Sequence, residues 1–89
     1  MEGFELNRLE FLVLATLYQN NCKEYFYSLT ISEILEHSNN LLGTRTTIYK
    51  KLKKLLSMGY VAKGSMDNHA HTFYLTEKGI ALFERSEQK

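Results

Sequence analysis

Apolar residues recur along the chain at two spacings, and the changes of spacing divide it into elements. Leu6, Leu9, Val13 and Leu17 fall three or four apart, which predicts a first helix over about residues 7–19. Asn7 with Glu10 makes a capping-box start, the amide accepting from exposed N–H groups and the carboxylate reaching back. Phe11, Leu14, Ala15 and Tyr18 occupy another side, so this helix is apolar nearly all round and needs cover on more than one face. Residues 20–28, "NNCKEYFYS", begin polar and end aromatic, which predicts a loop and then a short strand over about 26–29. Thr30 with Glu33 caps a short helix over 30–37, with Ile31, Ile34 and Leu35 as its buried stripe. "SNNLLG", residues 38–43, is a turn. Thr44 then caps a helix over 44–58 in which Ile48, Leu52, Leu55 and Leu56 share one face. Gly59 ends it as a left-handed C-terminal residue. "YVAK" (60–63) and "AHTFYL" (70–75) read as strands around a polar hairpin turn, and Thr76 caps a last helix holding Ile80, Leu82 and Phe83.

Two short helices joined by a tight turn and followed by a two-stranded hairpin form a winged helix-turn-helix. The fold expected is therefore α+β, mostly α: helix, short strand, helix, helix, two-stranded wing and C-terminal helix. The helix over 44–58 occupies the recognition position, which in this architecture enters the DNA major groove. With 89 residues the chain has room for one hydrophobic core, so residues 1–89 are read as a single domain. An apolar share of 44% and eleven aromatic residues support a folded chain rather than disorder. Proline is absent, so nothing interrupts the helical patterns. A single cysteine, Cys22, rules out an internal disulfide framework and fits a reducing compartment. No run of eighteen apolar residues and no secretory signal pattern is present. A cytoplasmic location, away from membranes, is expected.

Charge adds what periodicity leaves open. Between Glu36 and Asp67 the chain carries six basic residues (Arg45, Lys50, Lys51, Lys53, Lys54 and Lys63) and no acid. The remainder holds five basic and ten acidic residues, a formal −5, although the whole chain is only +1. Such segregation makes a local positive field on a nearly neutral body. It is compatible with a solvated helix face and with a surface that meets something negative.

Two segments carry a family resemblance. "TTIYKKLKKLLSMGYV", residues 46–61, resembles the recognition helix of PadR-type repressors: threonine, an aliphatic residue and tyrosine, a leucine-containing basic run, then glycine and a strand. "FYLTEKGIALFE", residues 73–84, resembles the end of the wing and the start of the next helix, a pattern PadR-type and, more loosely, MarR-type proteins share. The resemblance implies a DNA-binding transcriptional repressor. PadR-type proteins usually continue into further dimer-forming helices, whereas here the sequence runs ten residues past Gly79. A homodimer is therefore expected to use the first and last helices, with Phe11, Leu14, Tyr18 and Leu82 at its interface.

Within that frame, Thr46, Thr47, Tyr49 and Lys50 lie early in the recognition helix, where side chains meet base edges, and Thr44 and Arg45 join the DNA-binding set at its start, Arg45 towards the DNA backbone. Lys53 and Lys54 are placed for phosphates, which supply affinity and register. Lys51 points to the edge of the core. Lys63, Asn68 and His69 would let the wing touch flanking DNA. Asp67, His69 and His71 hint at a metal, since residues two apart on a strand share a face. Cys22 lies far from them in sequence, and zinc wants three or four ligands, so no metal and no cofactor is assigned. The chain lacks a phosphate-binding glycine loop, a nucleophile elbow and a metalloprotease helix motif, so it is not expected to be an enzyme. The expected function is sequence-specific binding of double-stranded DNA as a homodimeric repressor. A plasmid or phage maintenance factor (partition, replication control or replication termination) would share that chemistry. A winged-helix protein-interaction module is a third reading. The sequence leaves a small-molecule effector unknown; any such ligand would have to fit between protomers, and control by simple occupancy is expected.

Overall fold

A computed structural model of the protein describes residues 6–38, 43–66 and 69–87. Their order is α1 (Arg8–Gln19), β1 (Leu29–Thr30), α2 (Ile31–His37), α3 (Arg45–Ser57), β2 (Val61–Lys63), β3 (Thr72–Leu75) and α4 (Glu77–Glu87). The expected winged helix-turn-helix is the observed fold, and its sheet has three strands in the antiparallel order β1-β3-β2.

Each helix begins at a side-chain cap. Asn7 Oδ1 accepts from the Glu10 N–H at 2.8 Å, and Glu10 Oε1 accepts from the Asn7 N–H at 3.2 Å, closing the first capping box. Thr30 and Glu33 repeat it at 3.1 and 2.8 Å. Thr44 Oγ1 accepts from the Thr47 N–H at 3.2 Å and Thr76 Oγ1 from the Gly79 N–H at 3.1 Å. Such caps hold N–H groups that have no partner inside the helix, each worth about 1 kcal/mol. At the far end of α3, Gly59 takes φ 84°. Its N–H then donates to Leu56 and that of Tyr60 to Leu55, both at 3.0 Å, which turns the chain into β2.

The core forms where α1 crosses α3 and α4 above the sheet. Val13, Leu14 and Leu17 of α1 meet Ile34 of α2, Ile48, Leu52 and Leu55 of α3, and Leu82 and Phe83 of α4. Phe73 and Leu75 close it from β3. The apolar stripes read from sequence thus face the core, with Leu6, Leu9, Ile31, Leu35, Leu56 and Ile80 only partly covered at its margin. Gly79 lets α4 approach the sheet: a Cβ there would lie 2.0 Å from the Tyr60 carbonyl oxygen.

Three expectations change. The strand expected over 26–29 lies at Leu29–Thr30, where it pairs with Phe73 and Thr72 as the third strand of the wing sheet. Its aromatic residues instead form a turn closed by Tyr27 N–H donating to Glu24 at 3.0 Å, and Phe26 is 77% exposed. Leu14 and Leu82, expected at a subunit interface, are 0% and 3% exposed inside the chain's own core and offer a partner no surface. Phe11 and Tyr18 pack against the Phe83 ring at 5.1 and 4.6 Å, so α4 covers part of the second apolar face of α1. Finally, His69 is in the wing turn with φ 74°, so the strand alternation that would align it with His71 does not hold there.

Candidate nucleic-acid interface

The basic run folds into α3, and the 100° step of an α-helix divides it into four flanks. Ile48, Leu52 and Leu55 point into the core. Opposite them lie Thr46, Lys50 and Lys53, all exposed. These three present one hydroxyl and two ammonium groups to solvent, the donors suited to phosphate oxygens and guanine acceptors. Lys53 Nζ also stands 5.9 Å from the centre of the Tyr49 ring, which is half exposed beside it.

A third flank faces α1 and holds what sequence reasoning missed. Glu10 is 1% exposed, yet charged partners surround it: Lys54 Nζ donates to Oε2 at 2.9 Å, and Lys51 Nζ lies at 3.7 Å. Burial pushes the Glu10 carboxyl up. The Lys54 hydrogen bond, the Asn7 N–H and the charges of both lysines outweigh it and hold it below its ordinary value. One side chain therefore caps α1 and ties α1 to α3. Lys54, expected on phosphates, is committed to this carboxylate, although at 53% exposure it still reaches solvent. Lys51, read as lying at the core edge, is its second partner. The missed signal was Glu10 itself, an acid on a helix apolar nearly all round, with its lysine 44 residues away.

The other candidates separate. Thr44 and Thr47 face each other, their hydroxyls 3.1 Å apart, and serve the cap of α3. Arg45 extends towards α2 and donates to the Ser32 hydroxyl. Lys63 and His69 lie exposed on the wing side of α3. Asn68 and Asp67 lie outside the described residues. No group of three or more metal-ligating side chains comes together among the described residues. No described helix is long and apolar enough to cross a membrane. Cys22 is 2% exposed, and burial, with the charge of Glu33, pushes its thiol up to about 11. It is a core residue, without the lowered pKa that makes a cysteine reactive.

Comparison with known proteins follows the same architecture. Residues 2–88 match the family described as ArnR1-like, winged-helix domain. The chain is 29% identical over 75 residues to the DNA-binding protein TubR of Clostridium botulinum C phage, covering 84% of this chain and 89% of that one. The solved structure of TubR from Bacillus megaterium pBM400 superposes with a TM-score of 0.82 at 22% identity, over 96% of this chain and 90% of that one. A MarR-family regulator from Silicibacter pomeroyi shares the fold at 22% identity and TM-score 0.73, over 90% of this chain and 49% of that one. A PadR-family regulator from Clostridium difficile does so at 16% and 0.71, over 90% and 83%. The likeness to PadR-type proteins is thus one of fold, shared with MarR-type proteins and with TubR.

Proposed function

The chain belongs to the ArnR1-like winged-helix family, and from that premise we propose that it binds double-stranded DNA sequence-specifically and acts by occupying its site. The observation that carries this reading is the outer flank of α3. Thr46, Lys50 and Lys53 stand exposed in the recognition position, on a stretch without an acid from Ser38 to Met66. Lys50 and Thr46 supply base contacts, Lys53 and Arg45 phosphate contacts, and Lys63 and His69 a wing contact to the flanking backbone. Resemblance to a relative named for DNA binding supports the same reading. Two copies related by a two-fold axis would set their recognition helices about one DNA turn, roughly 34 Å, apart. The protein acts without catalysis, in the cytoplasm.

Two biological settings fit this chemistry. Residues 46–61 and 73–84 support a repressor of the PadR kind through their motif likeness. The relative carried by a phage supports a maintenance factor for a mobile genome. Mapping occupied sites across the host genome separates them: one promoter operator marks a regulator, and a cluster of repeated sites marks a maintenance factor.

The binding surface is tested by titrating the isotopically labelled protein with duplex DNA and following amide shifts. The reading expects the largest changes at Thr46, Lys50 and Lys53, with a smaller set at Lys63 and His69. Shifts confined to the exposed aromatic turn 24–28, or none in low salt, would contradict it and favour a protein-interaction module.

A further inference from the structure

Lys54 follows Lys50 by four residues on α3, so the two are neighbours, about 40° apart around the helix and roughly 5–6 Å between their Cβ atoms. Rotation alone would therefore add Lys54 to the outer flank, one turn beyond Lys50. Its ammonium group goes elsewhere: Lys54 Nζ donates to Glu10 Oε2 at 2.9 Å, drawn back towards α1. Glu10 has no freedom to follow a lysine that leaves. It is 1% exposed, its Oε1 accepts from the Asn7 N–H at 3.2 Å, and Lys51 Nζ lies 3.7 Å from its Oε2. Among the described residues neither Lys50 nor Lys53 has a carboxylate partner. Lys54 thus stands next to the outer flank and is held out of it by one buried acid.

We propose that Glu10 is a positioning residue that withholds Lys54 from DNA and so limits sequence-independent binding. The inference rests on the reading of α3 as the DNA-facing helix. A carboxylate oxygen and a phosphate oxygen are the same kind of acceptor for an ammonium group, so Glu10 occupies Lys54 as a phosphate would. Moving Lys54 onto DNA would leave a buried carboxylate with Lys51 alone, at 3.7 Å, a cost that Lys50 and Lys53 do not carry. Phosphate contacts supply affinity common to every sequence, whereas base contacts discriminate. Holding back one lysine per protomer lowers the common part and leaves Thr46 and Lys50, the base-contacting pair, untouched. Lys51 is not withheld in the same sense. It is 27% exposed and turned about 100° from Lys50, so it faces α1 with or without the acid.

The test is fluorescence anisotropy of a labelled random-sequence duplex across a salt series. E10Q should bind about threefold or more tightly than wild type in low salt, with a log–log slope steeper by about 1 per protomer. A merely structural Glu10 predicts the opposite sign, because a loosened contact between α1 and α3 weakens binding. E10Q/K54Q has the net charge of wild type and lacks the released lysine, so it should return to the wild-type slope. E77Q removes one acid from the exposed start of α4 and should leave the slope unchanged, which separates Lys54 from net charge. Thermal melts in the assay buffer show which variants are folded. Should E10Q not fold, K54Q carries the test: its slope should equal that of wild type, while K50Q flattens the slope by about 1 per protomer. E10Q binding no more tightly than wild type, a steep slope kept by E10Q/K54Q, an E77Q effect equal to that of E10Q, or K54Q flattening the slope as K50Q does would overturn the inference and leave the DNA reading standing. No binding by wild type or E10Q in low salt would sink the DNA reading, and the inference with it.

Discussion

Replacing Glu10 by Gln asks how the basic helix is held in place. The carboxylate is 1% exposed, with Lys54 at 2.9 Å and Lys51 at 3.7 Å. Glutamine has the same shape and can still accept from the Asn7 N–H, so the cap survives. The charge between the two ammonium groups is lost, and an amide donor now faces Lys54. A hydrogen bond to a charged group contributes about 1.5–3 kcal/mol. Lys54 is half exposed and water screens it, so about 1–2 kcal/mol is the reasonable loss. In a domain of this size that lowers Tm by roughly 5–15 °C. The sign with pH follows from the lowered carboxyl pKa. Its contribution is complete above the ordinary glutamate value of about 4.3 and disappears as pH falls through the lower folded value. Wild type and E10Q should therefore differ at pH 7 and converge once pH has fallen below the lowered carboxyl pKa, read by thermal or urea unfolding. Equal stability at pH 7, or a gap that persists unchanged in acid, would refute the reasoning.

Three further outcomes follow. Lys54→Ala should lower Tm as E10Q does, while changing the salt dependence of DNA binding less than Lys50→Ala; the reverse order would return Lys54 to the DNA surface. Gly79→Ala should cost at least roughly 2 kcal/mol in urea unfolding, because its Cβ meets the Tyr60 carbonyl oxygen at 2.0 Å, and a neutral result would refute that contact. Cys22, with a thiol pKa of about 11, should react with a disulfide reagent at pH 8 about a hundredfold more slowly in the folded protein than in denaturant. Comparable rates would show it to be accessible.

Local chemistry was legible in the sequence, and long-range pairing was not. Thr44 and Gly59 bracket α3 because a cap and a left-handed turn depend on residues within four positions. The core faces of α1 and α3 were readable because helical spacing repeats. Leu14 and Leu82 were misplaced for a definite reason. A helix that is apolar all round demands cover, but its sequence does not say whether the same chain or another supplies it. Here Phe83 of α4 lies against Phe11 and Tyr18 of α1. The aromatic run 25–27 has strand composition yet forms an exposed turn, because strand propensity reflects packing on a surface that this segment never meets. On α3, helical rotation places Lys50 and Lys53 opposite the core face, and both are exposed there. Lys54 differs from Lys53 by one 100° step, which turns it towards α1 and Glu10.

The central claim is that the outer flank of α3 meets the phosphates and bases of duplex DNA. It is tested most directly by fluorescence anisotropy of a labelled duplex across a salt series, comparing wild type with K50A/K53A. Counterion release gives a log–log slope of about −0.9 per phosphate contact, so removing two lysines per protomer from a dimer should flatten it by about 3 to 4. Weaker binding with that shallower slope is the result predicted. Binding that K50A/K53A leaves unchanged in both affinity and slope, or no binding by the wild type at low salt, would contradict the claim.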